Sequence, residues 1–98
     1  MGAELFFTKA YGASPKEAFD NAVKEAQYNH GHSGYTGSIA EKNSYNMATY
    51  NLLKMKEAIA LANSLVETPA YFDKWGPAGC IRVNDNPRTY LFFGYASS

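Results

Sequence analysis

The sequence is short of the features that mark several large classes of protein. Cys80 is its single cysteine, so no disulfide can form within the chain, and we expect a reducing, cytoplasmic setting. Nine acidic residues balance nine basic ones, so no long-range field attracts nucleic acid. No stretch approaches the roughly 18 apolar residues of a membrane span, and the N-terminus lacks the pattern of a signal peptide. We therefore expect a soluble protein that uses neither membrane nor nucleic acid.

Aromatic residues, in contrast, are abundant. Eight tyrosines, six phenylalanines and Trp75 make up 15% of the chain. A chain of 98 residues has room for one domain, residues 1–98, and for one core. Because so small a core cannot bury every ring, we expect some of them to lie on a binding surface.

The clearest local signals lie in the first third of the chain. Residues 3–11 alternate as a strand does. Ser14 then offers an N-cap hydroxyl, Pro15 suits the first helical position, and Glu17 is placed to close a capping box. The helix is predicted to run to about Tyr28. The two faces of the strand are Leu5, Phe7 and Tyr11 on one side, and Glu4, Phe6, Thr8 and Ala10 on the other.

The middle of the chain permits two interpretations. Residues 37–42 and 45–49 read as two short strands joined by a turn, which predicts a hairpin. No glycine or proline occurs between Ser38 and Thr68, so a helix that starts near Ser44 is the alternative. In either case a broad apolar arc predicts a helix over residues 51–67.

The last third of the chain predicts an aromatic loop over residues 71–77 and a hairpin of strands 79–83 and 88–96. The element order indicates an α+β two-layer sandwich, with a mostly antiparallel sheet of four to five strands and two helices on one face. The other face would then expose Phe6 and one of two sets of side chains from the last strand, either Tyr90 and Phe92 or Leu91, Phe93 and Tyr95. We expect a homo-oligomer, in the simplest case a homodimer, to cover that face.

The densest polar chemistry lies in residues 28–42. Glycines at 31, 34 and 37 alternate with the hydroxyl residues Ser33, Thr36 and Ser38, a composition that favours anion binding by backbone N–H groups. The spacing of a Walker motif and its lysine are absent. A tight turn, whose glycines are required by backbone shape alone, is the competing interpretation.

Two histidines flank Gly31 at a spacing that suits two ligands of one metal ion. His30 and His32 are therefore weak metal candidates, which need a third ligand from Glu41, Asp73 or Cys80. A helix-end histidine and a loop hydrogen-bonder explain the same residues more simply. We expect neither a metal nor a cofactor.

Catalysis has an incomplete set of groups. His32 or Glu41 is a candidate base with Lys42 as an electrostatic partner, but on a strand residues 41 and 42 point to opposite faces. Cys80 begins an apolar strand, where a buried and unreactive thiol is the usual outcome. Trp75 is the best candidate for a ring that stacks on a flat ligand. Its alternative role is that of a hydrophobic plug over the end of the second helix.

Two segments carry a resemblance. AQYNHGHSGYTGSIAEK, from Ala26 to Lys42, and DKWGPAGCI, from Asp73 to Ile81, resemble the paired signatures of a group of small bacterial and phage-encoded proteins. The resemblance supplies no activity. It implies that residues 32–42 and 73–79 are parts of one site, and by analogy it suggests an accessory factor that binds a host protein or sequesters a signalling nucleotide.

The sequence thus favours a non-enzymatic binding protein that holds a small anionic or nucleotide-like ligand between these two segments. One alternative is a protein–protein interaction module or inhibitor that acts through an aromatic sheet face. The third is a small hydrolase or metal-dependent enzyme that uses His32 and Glu41. The predicted ligand-binding residues are His32, Gly34, Tyr35, Thr36, Gly37, Glu41, Lys42, Asp73, Lys74 and Trp75.

Overall fold

The computed structural model describes residues 2–30 and 35–98, which form one four-stranded sheet and its helices. The α+β class is confirmed, and the strand order is β1-β4-β3-β2. The elements are β1 Ala3–Tyr11, α1 Pro15–His30, a 3-10 turn Ile39–Glu41, β2 Tyr45–Met47, α2 Met55–Leu65, the short α3 Pro69–Phe72, β3 Ala78–Val83 and β4 Thr89–Ser97. In this described part of the chain, no helix has the length and apolar character needed to cross a bilayer.

The first strand and the first helix form where the sequence predicts them. The Ser14 hydroxyl accepts the N–H of Glu17 at 3.2 Å, which is the expected N-cap bond. The helix continues to His30, slightly beyond the predicted end. In β1, Phe6 and Ala10 are buried under this helix, while Leu5 and Phe7 on the opposite face are exposed.

The predicted hairpin at the end of the chain is also confirmed. β3 and β4 pair antiparallel, with Val83 opposite Thr89 next to the turn. β4 pairs along its other edge with the whole of β1, again antiparallel. It is therefore one of the two inner strands, and all of its side chains except that of Tyr95 are buried.

The predicted strand over residues 37–42 is wrong, and so is the hairpin built on it. Residues 39–41 form a 3-10 turn, because the Ser38 hydroxyl accepts the N–H of Ala40 and holds the chain in a turn. The alternative helix from Ser44 is wrong too, since residues 45–47 form β2. β2 pairs with β3 in parallel, so the sheet is mixed and not mostly antiparallel.

The second helix starts later than predicted, at Met55 and not at residue 51. The residues before it remain extended beside β3: the N–H of Leu53 donates to the carbonyl of Arg82, and its carbonyl accepts the N–H of Asn84. This parallel pairing outweighs the helical apolar pattern of residues 51–54. The helix ends at Leu65, with the N–H of Val66 donating to Ala62 as a last helical bond.

The two long helices pack on opposite faces of the sheet, contrary to the prediction of one shared face. α1 packs on Tyr90 and Phe92, whereas α2 packs on Leu91 and Phe93. Neighbouring residues of a strand point to opposite faces, so these are two separate clusters and three layers.

The topology explains this arrangement. From β1 to β2 the chain crosses the whole sheet through α1, and from β2 to β3 it moves back by one position through α2. Connections between parallel strands are right-handed in nearly all proteins. Because the second connection moves across the sheet in the opposite direction to the first, its helix has to pack on the opposite face.

The three-layer arrangement changes which apolar surface is open. Phe6 is buried under α1, and both sets of β4 side chains lie under a helix, so the expected bare face does not exist. α2 covers β3 and β4 on its face, and β1 beside it carries exposed Leu5, Phe7 and Tyr11. We call these three side chains the β1 stripe.

Cys80 is expected to be unreactive in the folded protein. Its side chain lies in the α1 cluster with no exposed surface, and burial raises the pKa of the thiol to about 12. Because the thiolate is the nucleophile, almost none of the reactive form is present at pH 8. We expect no reaction with a chromogenic disulfide reagent in native buffer and full reaction in guanidinium chloride. Rapid reaction of the native protein would contradict the packing of β3 described above.

Candidate functional site

Trp75 stands at the centre of the site, on a tight loop of residues 73–76. The Asp73 carboxylate accepts the N–H of Trp75 at 2.9 Å, and the Asp73 carbonyl accepts the N–H of Gly76 at 3.0 Å. These two bonds hold the backbone of the loop in a turn. The Trp75 side chain is nevertheless 62% exposed, which is unusual for so large an apolar group.

The structure brings Tyr35 and Trp75 together, although 40 residues separate them in the chain. Their ring centroids are 5.6 Å apart, and the ring planes meet at 77° in an edge-to-face arrangement. This geometry is favourable for two aromatic quadrupoles and holds one side of the Trp75 ring. Tyr35, which lies within the glycine-rich segment 28–42, and the tryptophan loop 73–76 are therefore neighbours.

Lys42 ties the same two segments together from inside. It is 3% exposed, and its ammonium group donates to the carbonyls of Gly76 at 2.8 Å and Lys74 at 3.2 Å. Desolvation lowers the pKa of Lys42, and the nearby Asp73 carboxylate opposes part of this effect. Lys42 thus anchors the loop that carries Trp75, and its donors point to the backbone.

Three further residues of the predicted site, Thr36, Gly37 and Glu41, also form hydrogen bonds within the chain. Glu41 accepts both the N–H of Thr36 at 3.1 Å and its hydroxyl at 2.8 Å. The N–H of Gly37 donates to the carbonyl of Ser97 at 2.8 Å. Gly37 has φ of +67°, and a Cβ there would meet the side chain of Glu4, so this position requires glycine for its shape. These residues build the turn that positions Tyr35.

An open groove of about 610 Å³ lies beside Trp75, on the sheet face that α2 covers in part. Its wall contains an edge-to-face pair, Phe72 and Tyr95, with ring centroids 5.5 Å apart. The Lys74 ammonium lies 5.4 Å from the centroid of the Trp75 ring and brings a positive charge to the rim. The lining residues are Ala3, Pro69, Phe72, Asp73, Lys74, Trp75 and Tyr95.

The groove therefore uses part of the predicted site and adds residues that were not predicted. Asp73, Lys74 and Trp75 line it, whereas Tyr35 supports Trp75 without lining it. Phe72 and Tyr95 were missed as site residues. Tyr95 was predicted to share a face of the last strand with Leu91 and Phe93, and Phe72 was predicted to lie in the aromatic loop that carries Trp75, but neither was assigned to the site.

Of the two histidines, the structure describes only His30. His32 and Gly34 lie outside the described residues. His30 is exposed at the end of α1 and lines a small pocket of about 140 Å³ with Thr8 and Lys9. Within residues 2–30 and 35–98, no three histidine, cysteine, aspartate or glutamate side chains are grouped so that they can hold a metal ion.

The groove offers two kinds of contact to a ligand. Flat rings can stack on its exposed aromatic side chains, and Lys74 supplies a cation at the rim. The chain as a whole is neutral, so a charged ligand must be held by this local arrangement. No protein-family model matches the chain, and neither a curated protein nor a solved structure matches it.

Proposed function

We propose that this chain is a small non-enzymatic binding protein whose groove beside Trp75 holds a ligand with a flat ring and an anionic group. The chemical class that fits best is a nucleoside monophosphate or a close relative. One observation carries the proposal: an exposed Trp75 ring, braced by Tyr35, borders an apolar groove with a lysine ammonium at its rim.

The flat part of the ligand has two exposed rings available. Trp75 and Phe72 both line the groove and are both largely exposed. Stacking of a nucleobase on an aromatic side chain contributes about 1–3 kcal/mol per base. Because the Asp73 and Lys42 bonds hold the Trp75 loop in place, little ordering of the loop opposes that gain.

The anionic part has one suitable partner in the groove. The Lys74 ammonium lies close to the Trp75 ring and 3.4 Å from the carbonyl of Gly2, a long contact that it can exchange for a phosphate oxygen. Lys42 is not an alternative partner, because its ammonium group is buried against two carbonyls. The ring would then lie on Trp75 with its phosphate directed to the Lys74 rim.

A calorimetric panel tests this proposal. The probes are nucleoside monophosphates, the matching nucleosides and inorganic phosphate. We expect the monophosphates to bind best, the nucleosides more weakly and phosphate alone not measurably. Phe72→Ala is expected to weaken binding, whereas Tyr50→Ala, at an exposed position outside the groove, is expected to leave it unchanged. No heat of binding with any member of the panel would overturn the proposal.

A second candidate function is favoured by the β1 stripe. Leu5, Phe7 and Tyr11 are exposed together on one sheet face, and Ala3 of the same strand face lines the groove. Lys9 lies between Phe7 and Tyr11 on this face, and a cluster of exposed apolar side chains interrupted by one charge is typical of protein–protein contacts. The partner that the geometry of β1 supports best is a second copy of the chain.

The setting of this activity is also a proposal. The resemblance of the glycine-rich and tryptophan segments to phage and bacterial proteins supports an accessory role in a phage or another mobile element. A single buried cysteine supports action in the reducing cytoplasm. Glu41 accepts two hydrogen bonds from Thr36, which favours a structural role over the base of an enzyme.

A further inference from the structure

Within residues 2–30 and 35–98, the outer edge of β1 pairs with no other strand. Gly2 and Ser98 exchange two hydrogen bonds, at 3.3 and 3.1 Å, and the N–H of Gly12 donates to the carbonyl of Arg88. In an antiparallel ladder such pairs recur at every second residue, so even-numbered residues of β1 bond to β4. The odd-numbered residues, 3 to 11, direct their N–H and C=O groups away from the sheet.

Almost nothing in the described chain occupies this edge. Among residues 2–30 and 35–98, the one partner found for these groups is the Asn21 side chain, which donates to the carbonyl of Tyr11 at 3.0 Å. Long apolar edge strands are normally covered, bulged or charged, because they pair with other strands. β1 has nine residues, its centre is Phe7 with 39% exposure, and Lys9 is the charge on its open face.

We propose that two copies of this chain pair β1 against β1, antiparallel, about a two-fold axis at Phe7. Such an axis places residues of the same sheet face opposite each other. Phe7 then pairs with Phe7 of the second copy, Leu5 with Lys9, and Ala3 with Tyr11. The outward-directed groups of residues 3–11 then find partners in the second copy, and the two sheets become one. The Tyr11 carbonyl has two lone pairs, so it can accept this bond as well as that of the Asn21 side chain.

Charge and length select this register over its neighbours. An axis at Lys9 would place two ammonium groups opposite each other, and an axis at Glu4 would place two carboxylates opposite each other. Like charges repel in such pairs, so both registers are unfavourable. An axis at Phe6 or Thr8 leaves an end of each strand unpaired. At Phe7 the Lys9 stem lies across from Leu5, where its methylene groups can cover apolar surface.

The pairing also completes the groove. Ala3 lines the groove, and in the proposed register Tyr11 of the second copy lies opposite Ala3 on the same sheet face. The second copy thus adds an aromatic ring beside the wall formed by Phe72 and Tyr95. This consequence rests on the proposed function, whereas the strand pairing does not.

The expected dimer is weak. A nine-residue strand is about 30 Å long, so its edge and the adjacent side chains cover a few hundred Å² per copy. That is below the roughly 800 Å² per partner of a standard interface. Self-association is therefore expected at micromolar concentrations and above.

Disulfide trapping tests the register. Opposed residues of a hydrogen-bonded pair have Cα atoms about 5.5 Å apart, within the range for a disulfide. We expect Phe7→Cys to form a covalent dimer on mild oxidation and Lys9→Cys alone to form none. A mixture of Leu5→Cys and Lys9→Cys proteins is expected to cross-link with each other. The buried Cys80 thiol does not interfere.

Two results would overturn the pairing. One is wild-type protein that sediments as a monomer at several hundred micromolar. The other is cross-linking of Lys9→Cys at the same rate as Phe7→Cys, which would indicate random collision. Phe7→Glu, which opposes two carboxylates at the axis, is expected to be a folded monomer by circular dichroism and sedimentation.

The same variant separates the two proposals. If the second copy completes the groove, Phe7→Glu binds a nucleoside monophosphate about 2- to 10-fold more weakly than wild type, the effect of one lost aromatic contact. Unchanged affinity in a monomeric Phe7→Glu would overturn the completion of the groove. A wild-type dimer that binds no nucleotide would overturn the proposed function and leave the strand pairing in place.

Discussion

Replacing Trp75 with alanine is expected to weaken binding of a nucleoside monophosphate about 10- to 100-fold while the protein stays folded. The ring is the largest exposed aromatic surface in the groove, and loss of one stacking platform costs about 1–3 kcal/mol of binding free energy. The cost in folding is small, because most of the side chain is already in contact with solvent.

Calorimetry on the wild-type and variant proteins gives the affinities, and circular dichroism confirms the fold. Trp75→Phe is the matched control: it keeps a ring that Tyr35 can brace, and it is expected to retain most of the affinity. Equal affinities for wild type and Trp75→Ala would show that the ligand lies elsewhere.

Replacing Lys42 with methionine is expected to lower the free energy of unfolding by about 2 kcal/mol at neutral pH. Methionine fills a similar volume but leaves the carbonyls of Lys74 and Gly76 buried without their donor, at a cost of about 1–3 kcal/mol. Part of this loss is offset, because the wild-type protein holds the Lys42 charge in a desolvated position at a cost in free energy, and the substitution removes that cost.

The difference in the free energy of unfolding between the wild type and Lys42→Met is expected to grow as the pH rises. Burial lowers the pKa of Lys42 below its ordinary value of 10.5, so between the folded pKa and 10.5 the unfolded chain binds more protons. The stability of the wild type therefore gains a favourable contribution as pH rises through the folded pKa. The neutral amine still donates to both carbonyls. Tyrosines with raised pKa values titrate in both proteins, and the comparison cancels them.

Chemical denaturation from pH 7 to 10 measures the effect, with Lys56→Met as the control at an exposed helical lysine. The control is expected to change stability by less than about 0.5 kcal/mol. Lys42→Met is also expected to weaken nucleotide binding, although Lys42 does not line the groove, because the loop that carries Trp75 loses its anchor. A variant as stable as the wild type would contradict the role of Lys42.

The elements that the sequence predicted well are those specified locally. The Ser14 cap, the alternation of residues 3–11 and the turn before Thr89 each depend on neighbours in the chain, and each is where it was expected. The proximity of Tyr35 and Trp75 was expected from the pairing of two signatures, and the rings are in contact. The local sequence pattern predicted the tryptophan loop, and the resemblance predicted that it lies close to the glycine-rich segment.

The features that were missed depend on contacts between distant residues. The parallel pairing of β2 with β3 is only three residues long, too short for a periodic signal, and it decides the face on which α2 packs. The burial of Lys42 could not be predicted from the sequence for the same reason. A lysine is normally exposed, and the two carbonyls that bind its ammonium group lie more than 30 residues away in the chain. The groove was missed because its wall is formed by the Phe72 and Tyr95 pair, and the contact between these two rings depends on the arrangement of the layers.

The most direct test of the central claim follows the Trp75 indole N–H by nuclear magnetic resonance while a nucleoside monophosphate is added. Trp75 is the chain's one tryptophan, so its indole signal is unambiguous. A ligand in the groove is expected to shift this signal together with the backbone amides of residues 72–75 in a saturable way, and to leave Tyr50 unchanged. An indole signal that stays fixed at millimolar nucleotide, or saturable shifts confined to other parts of the chain, would contradict the assignment of the groove as the binding site.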